Sequence, residues 1–320
     1  MGTLPVEALE KAPTTEGQTG AGQAPKEAAT PQMVVSVRHW GRLVSAFLTL
    51  FVAAALVYVV ARDSVLHWAT VPSFIFNGQI LSGVVVTIEL TVLSMLLGVG
   101  LGTLLAVMRM SENPVTRTAS ATYVSIVRGT PMLVQIIFWF NIALFLPRIT
   151  FGSFDVSTNT IISPFIAAVL GLGLNEAAFM AEVVRSGIIA IDRGQREAAL
   201  ALGYTPRKTM FRIILPQSMR VILPPTGNET IGMLKGTSLV SVIGAQDLLT
   251  RAQGISSYSY QIVEMLLVAT VWYVVMTTVL SIGQAALERK FGRSVASARP
   301  PSAILKGVRT LIKRSGATPA

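Results

Sequence analysis

The feature that most limits this chain is the recurrence of apolar runs about as long as a membrane is thick, separated by basic stretches. A helix of roughly 20 apolar residues crosses a ~30 Å hydrocarbon layer. The run Leu43–Ala61 has that length, and others follow at about 84–108, 131–147, 161–184, 226–248 and 262–283. Six candidate helices result. Asn175, Glu176 and Glu182 interrupt the fourth, and Glu229 and Lys235 the fifth. Only 13% of the residues are charged and the mean hydropathy is +0.60, against roughly 25% charged in a soluble domain. The expected class is therefore an all-α membrane protein.

Composition removes several chemistries. With no cysteine there is no disulfide scaffold, thiolate zinc site, iron–sulfur cluster or cysteine nucleophile, and two isolated histidines do not make a metal site. His39 beside Trp40 and His67 beside Trp68 flank the first run and read as interfacial anchors. No metal site, catalytic residue or bound cofactor is expected.

The net charge of +10 does not argue for nucleic acid, because the basic residues lie between apolar runs rather than on one soluble face. They follow the rule that Lys and Arg gather on the cytoplasmic side: with the N-terminus inside, 22 of 26 fall there. Both termini are thus expected to be cytoplasmic, with 185–225 the large inside loop. Residues 1–32, rich in Pro, Thr, Gln, Gly, Ala and Glu, have too little apolar surface to fold and are expected to form a dispensable disordered tail. The first run starts too late for a signal peptide. The basic tail at 294–320 reads either as a solvated inside-positive segment or as an interfacial helix on anionic lipid.

The densest information lies in the inside loop. Arg196–Leu202 holds strong helix formers, Gly203 suits a left-handed C-terminal cap, Thr205 can cap a second helix, and Pro206 fits its first turn. Met210, Phe211, Ile213 and Ile214 give the second helix an apolar side, and Pro216 is expected to end or kink it. Helix, tight turn, helix is a surface on which a soluble partner can dock, or one that packs on the membrane.

Glu197-Ala198-Ala199, then Gly203, Ile213 and Leu215-Pro216 in register, resemble the EAA loop of the membrane subunits of binding-protein-dependent ABC importers. Arg128-Gly129-Thr130-Pro131 with Leu133-Val134-Gln135, Ala181-Glu182-Val183-Val184-Arg185 and Lys235-Gly236-Thr237-Ser238-Leu239 resemble the polar amino-acid branch, which includes histidine, glutamine, glutamate and arginine permeases. The likeness covers about 80–293; it does not cover the tail at 1–32 and does not clearly cover the first span, and residues 33–79 read as an extra N-terminal span with its external connection. The resemblance leads one to expect an aspartate at Gly236; if such an acid tunes gating or pairs with Lys235 in the family, this chain does so differently.

The resemblance implies a type I importer permease bundle of about six transmembrane helices in the bacterial cytoplasmic membrane. It implies a coupling loop at about 190–220 in the groove of a separate ATPase subunit that hydrolyses the ATP; this chain has no GxxxxGK[ST] phosphate loop. Glu197 would be the docking residue, Ala198 and Ala199 would allow close approach, and Gly203 would set the turn. Further implied partners are an external amino-acid-binding protein and a second copy or a sister permease, besides membrane lipid; nucleic acid is not implied.

Charged groups within apolar runs are functional candidates because hydrocarbon burial costs several kcal/mol unless they face a cavity or a partner. Glu176, Glu182, Glu229, Lys235 and Glu264 qualify, with Asn175 and Glu89 behind them. Glu182 and Arg185, three apart on one helix, are expected to form a structural ion pair. Lys235, near Thr237 and Ser238, either holds the carboxylate of a passing amino acid or pairs with a neighbouring acid. Asn175, Glu176, Lys235, Thr237 and Ser238 are the candidate substrate pathway. The alternative, an ion-coupled secondary amino-acid transporter, predicts an internal repeat of spans that the sequence does not show.

Overall fold

The computed structural model describes residues 40–62, 67–151 and 154–291. The tails at 1–32 and 294–320, and His39, lie outside them. The chain divides into two compact units, Met1–Asp63 and Ser64–Ala320. The first contributes α1 (Trp40–Arg62), a 23-residue apolar helix on the first predicted run.

The second unit opens with α2 (Thr70–Ile75) and α3 (Gly78–Arg109), then α4 (Pro114–Gly129) and α5 (Met132–Phe140). A hairpin of β1 (Arg148–Phe151) and β2 (Phe154–Ser157) precedes α6 (Thr158–Ile161) and α7 (Pro164–Ile189). The loop region forms α8 (Arg193–Ala201) and α9 (Pro206–Thr209), and α10 (Leu215–Gly236), α11 (Leu248–Ser259) and α12 (Ile262–Phe291) complete it.

One local grammar starts several of these helices. Asn113 before Pro114, Ser163 before Pro164 and Thr205 before Pro206 each accept a bond from a backbone N–H of the first turn. The proline gives up an N–H that no helical carbonyl could receive. Asp247 does the same for α11, accepting from Leu249 and Thr250 N–H at 3.1 and 3.2 Å.

Among the described residues α3, α7 and α12 are long and apolar enough to cross a membrane. The third predicted run, at about 131–147, does not form one spanning helix: α5 ends at Phe140 and a 3₁₀ turn, Ile142–Leu144, follows. α4, which precedes the run, meets α5 at 102° across Thr130-Pro131, where the chain leaves helical geometry. Gln135 clamps the bend, its Nε2 donating to Val127 O at 2.9 Å and Thr130 Oγ1 at 2.8 Å. The fifth run also differs from expectation. The α-helix stops at Gly236, and Thr237–Ile243 tightens to a 3₁₀ helix that ends at Gly244, φ +71°. Hydroxyls of Thr237, Ser238 and Ser241 bond back to carbonyls three residues earlier, favouring the tighter winding.

The core is organised on α3 and α7. Ile80, Val84, Thr87, Leu90, Thr91, Ser94, Gly98, Gly102 and Leu105 recur every three or four residues on α3 and are buried. Against them lie Leu172, Glu176, Ala177, Met180 and Ala181 of α7. Ile80 and Val84 also meet Leu248, Ile255, Met265 and Val268 of α11 and α12. The backbones of α3 and α7 approach because Gly98 and Gly102 have no side chain. A Cβ on Gly102 would stand 2.6 Å from Met180 Cβ and 2.8 Å from the Ala177 carbonyl oxygen. Gly100, on the other side, meets nothing. Gly102→Ala is expected to destabilise the chain by about 1–3 kcal/mol, seen as a lower melting temperature in detergent, with Gly100→Ala unchanged. Equal melting of both variants would contradict this packing.

Candidate functional site

The loop 192–216 is built from short-range interactions that its own sequence supplies. Asp192 starts α8 by accepting from Gly194 N–H at 2.7 Å. The other end is a Schellman cap: Tyr204 N–H donates to Ala199 O at 3.1 Å and Gly203 N–H to Leu200 O at 3.0 Å. Gly203 has φ +81°, as that cap requires. Ala199 is buried, whereas Glu197 and Ala198 are exposed. The loop thus presents a carboxylate and a small residue on a helix fixed at both ends.

Pro216 does not end the second helix. It lies in the first turn of α10, and α9 runs into α10 through a π-helical turn, Met210–Ile214. Proline has no N–H to offer the carbonyl four residues back, and the wider turn absorbs the mismatch, with Leu215 N–H donating to Met210 O. Ile213 is half-buried in that turn, and Ile214 is buried. α9 is therefore continuous with the long element that carries Glu229 and Lys235.

Glu182 links α7 to α3 next to the loop. Arg109 Nη1 donates to Glu182 Oε2 at 2.7 Å, and Arg185 bonds the same carboxylate from one turn away. The expected Glu182–Arg185 pair is present, but Arg109, 73 residues distant, has no local sequence signal. Arg128 lies over the Phe179 ring at 5.1 Å, a further cationic contact of α7, here with α4.

The candidate pathway residues fall into two groups. Asn175 and Glu176 are buried on α7, and Glu176 Oε1 has no hydrogen-bond partner among the described residues. Glu229 of α10 lies within electrostatic reach of it. Lys235 is exposed at the end of α10, without an ion-pair partner among the described residues. Thr237 is buried and Ser238 half-buried, and both hydroxyls donate within their own turn. A side chain at Gly236 would meet Met132 Cε at 3.1 Å. Of the other intramembrane candidates, Glu264 accepts from His67 backbone N–H at 2.9 Å, and Glu89 is exposed. Unforeseen from sequence is the buried Asp247, which ties α11 to Tyr273 of α12 at 3.4 Å; its Asp-x-x-Thr spacing was a readable cap signal.

Residues 98–293 match the family described as binding-protein-dependent transport system inner membrane component. The chain is 46% identical over 257 residues to the arginine transport system permease protein ArgU of Corynebacterium glutamicum, covering 80% of this chain and 81% of that one. It is 38% identical over 215 residues to the L-cystine transport system permease protein TcyB of Bacillus subtilis, covering 67% and 87%. A solved amino acid ABC transporter with histidines superposes with a TM-score of 0.60 at 35% identity, covering 67% of this chain and 95% of that one. A methionine ABC transporter, at 19% identity and a TM-score of 0.53, shares the fold.

The cap geometry sets a test of the loop itself. A β-branched residue at φ +81° costs on the order of 1–2 kcal/mol, so Gly203→Val is expected to open the turn and speed tryptic cleavage at Arg207 and Lys208 several-fold. Gly203→Asn, which tolerates that region, should be cleaved near the wild-type rate. Equal rates for wild type and Gly203→Val would mean that the cap does not hold the loop.

Proposed function

The chain belongs to the inner membrane components of binding-protein-dependent transport systems and is the permease of an ABC importer for amino acids, and from that premise we propose how it works. α8 and α9 dock on a separate ATPase subunit, Glu197 making the leading contact. That subunit hydrolyses the ATP; this chain is non-catalytic and binds no cofactor. It sits as a multi-pass protein in the bacterial cytoplasmic membrane, receives cargo from an external binding protein, and works as a dimer with a second copy or a sister permease.

The observation that supports this reading most is the loop's construction. Glu197 is exposed on a helix closed by Asp192 and Gly203, and the following helix continues into α10 without a hinge of coil. A push on α8 and α9 is thereby passed to the helix carrying Glu229 and Lys235. The neighbours of known structure are ABC transporters, which leaves the ion-coupled alternative without support.

For cargo we favour polar amino acids, cationic ones foremost. The relatives that match include arginine permeases, and Glu176 offers a buried carboxylate oxygen with no partner among the described residues. Such a group is costly to bury unless a positive charge approaches it. Asn175 beside it, and Lys235, Thr237 and Ser238 at the end of α10, complete the proposed route.

Two measurements test the reading. In gently solubilised membranes an ATPase subunit should co-purify with the tagged chain, and Glu197→Lys should reduce its recovery and amino-acid uptake by at least about tenfold while membrane insertion stays intact. Unaltered recovery and uptake would remove Glu197 from the interface. In uptake assays with labelled substrates, Glu176→Gln should lower arginine uptake by at least about tenfold relative to glutamine; equal losses for both would make Glu176 structural.

A further inference from the structure

At the end of the bundle that carries the loop, a cleft of about 800 Å³ opens between the ends of α3, α4 and α7 and the helices α8 and α9. Arg109, Arg117, Arg185, Arg193 and Arg196 line it, against one acid, Asp192. Arg109 and Arg185 share the Glu182 carboxylate, and Asp192 is occupied as the cap of α8. Arg117, Arg193 and Arg196 are exposed and have no ion-pair partner among the described residues. Three like charges from α4 and α8 therefore line one cavity, none of them in an ion pair among the described residues. A phosphate group does so well, because the guanidinium fork matches its oxygens two at a time.

The remaining walls indicate which phosphate compound fits. Ile188, Ile189, Met210 and Ile214 form an apolar side of the same cleft. A free phosphate has no use for that surface, whereas acyl chains do. The cleft also lies where α3 and α7, long enough to span a membrane, come to their ends, at Arg109 and Ile189. The ends of spanning helices meet the headgroup layer.

We propose that this cleft binds the headgroup of an anionic phospholipid, its phosphate held by Arg117, Arg193 and Arg196 and its acyl chains against the isoleucines. The lipid joins α8 to α4 and so steadies the coupling loop from the membrane side. The inference rests on the membrane placement of the family, and Arg117 on α4 lies outside the helices proposed to meet the ATPase, so its variant separates the two contacts.

Native mass spectrometry of the purified full chain tests it. The chain is titrated with dioleoyl phosphatidylglycerol, with dioleoyl phosphatidylcholine, and with phosphatidylglycerol in the presence of millimolar inorganic phosphate. Wild type should retain phosphatidylglycerol in preference to phosphatidylcholine, and inorganic phosphate should not displace it. Arg117→Gln should weaken retention about fivefold, and Arg117→Gln with Arg193→Gln by more than tenfold. Arg289→Gln with Lys290→Gln, an equal charge loss on α12 outside the cleft, should leave retention unchanged. Equal retention of both lipids, no shift in Arg117→Gln, or an equal shift in the α12 control would overturn the proposal. Displacement by inorganic phosphate would overturn it in favour of a free-anion site. Arg117 is exposed on a well-capped helix, so the single variant serves if the double one fails to fold.

Discussion

The close approach of α3 and α7 is the constraint on which the second unit depends. Lipid tails are as apolar as leucine, so two membrane helices gain little by hiding apolar surface from lipid and hold together by packing distance and polar contacts. Gly98 and Gly102 let the backbones approach, and the Glu182 carboxylate, shared by Arg109 and Arg185, fastens them beside the loop. A side chain at either glycine would collide with α7, at Glu176 or at Met180 and the Ala177 carbonyl. The packing of α5 on α7, through Ile136 against Gly171, then builds on a fixed platform.

From that platform the loop is held by bonds of a different kind. Its caps are local: Asp192, Gly203 and Thr205 satisfy backbone groups a few residues away. Local caps make α8 and α9 stiff without tying them to the bundle by a large apolar contact. Such an element can transmit a displacement while moving as a body. The π-helical turn before Pro216 matters for the same reason, because it keeps the chain helical where a proline would otherwise have broken the connection to α10.

Charge is distributed with the same economy. Inside the bundle, carboxylates either have partners, as Glu182 and Glu264 do, or stand with an open oxygen, as Glu176 does. At the loop end the arginines outnumber the acids around one cleft. On the proposed function the first pattern suits a passage that recognises charge without trapping it, and on the proposed lipid site the second suits a surface that meets phosphate groups.

The loop was legible in the sequence nearly residue by residue, because caps and turns are set by groups within about six positions of one another. Gly203 as a left-handed cap, Thr205-Pro206 as a helix start and Glu182–Arg185 as a pair are all found in the structure. The apolar runs likewise announced a helical membrane protein, since no other way of burying so much backbone in lipid is open to a single chain of this pattern. Tertiary structure alone decided which helices meet and where they break. Hydropathy records how apolar a segment is and says nothing of the 102° bend at Pro131, which Gln135 clamps, or of the 3₁₀ winding after Gly236. Nor does it bring Arg109 to Glu182, or five arginines from four helices around one cleft. The Arg109–Glu182 contact and the cleft join residues far apart in sequence, and for α3 and α7 it is the close approach at Gly98 and Gly102 that brings the elements together.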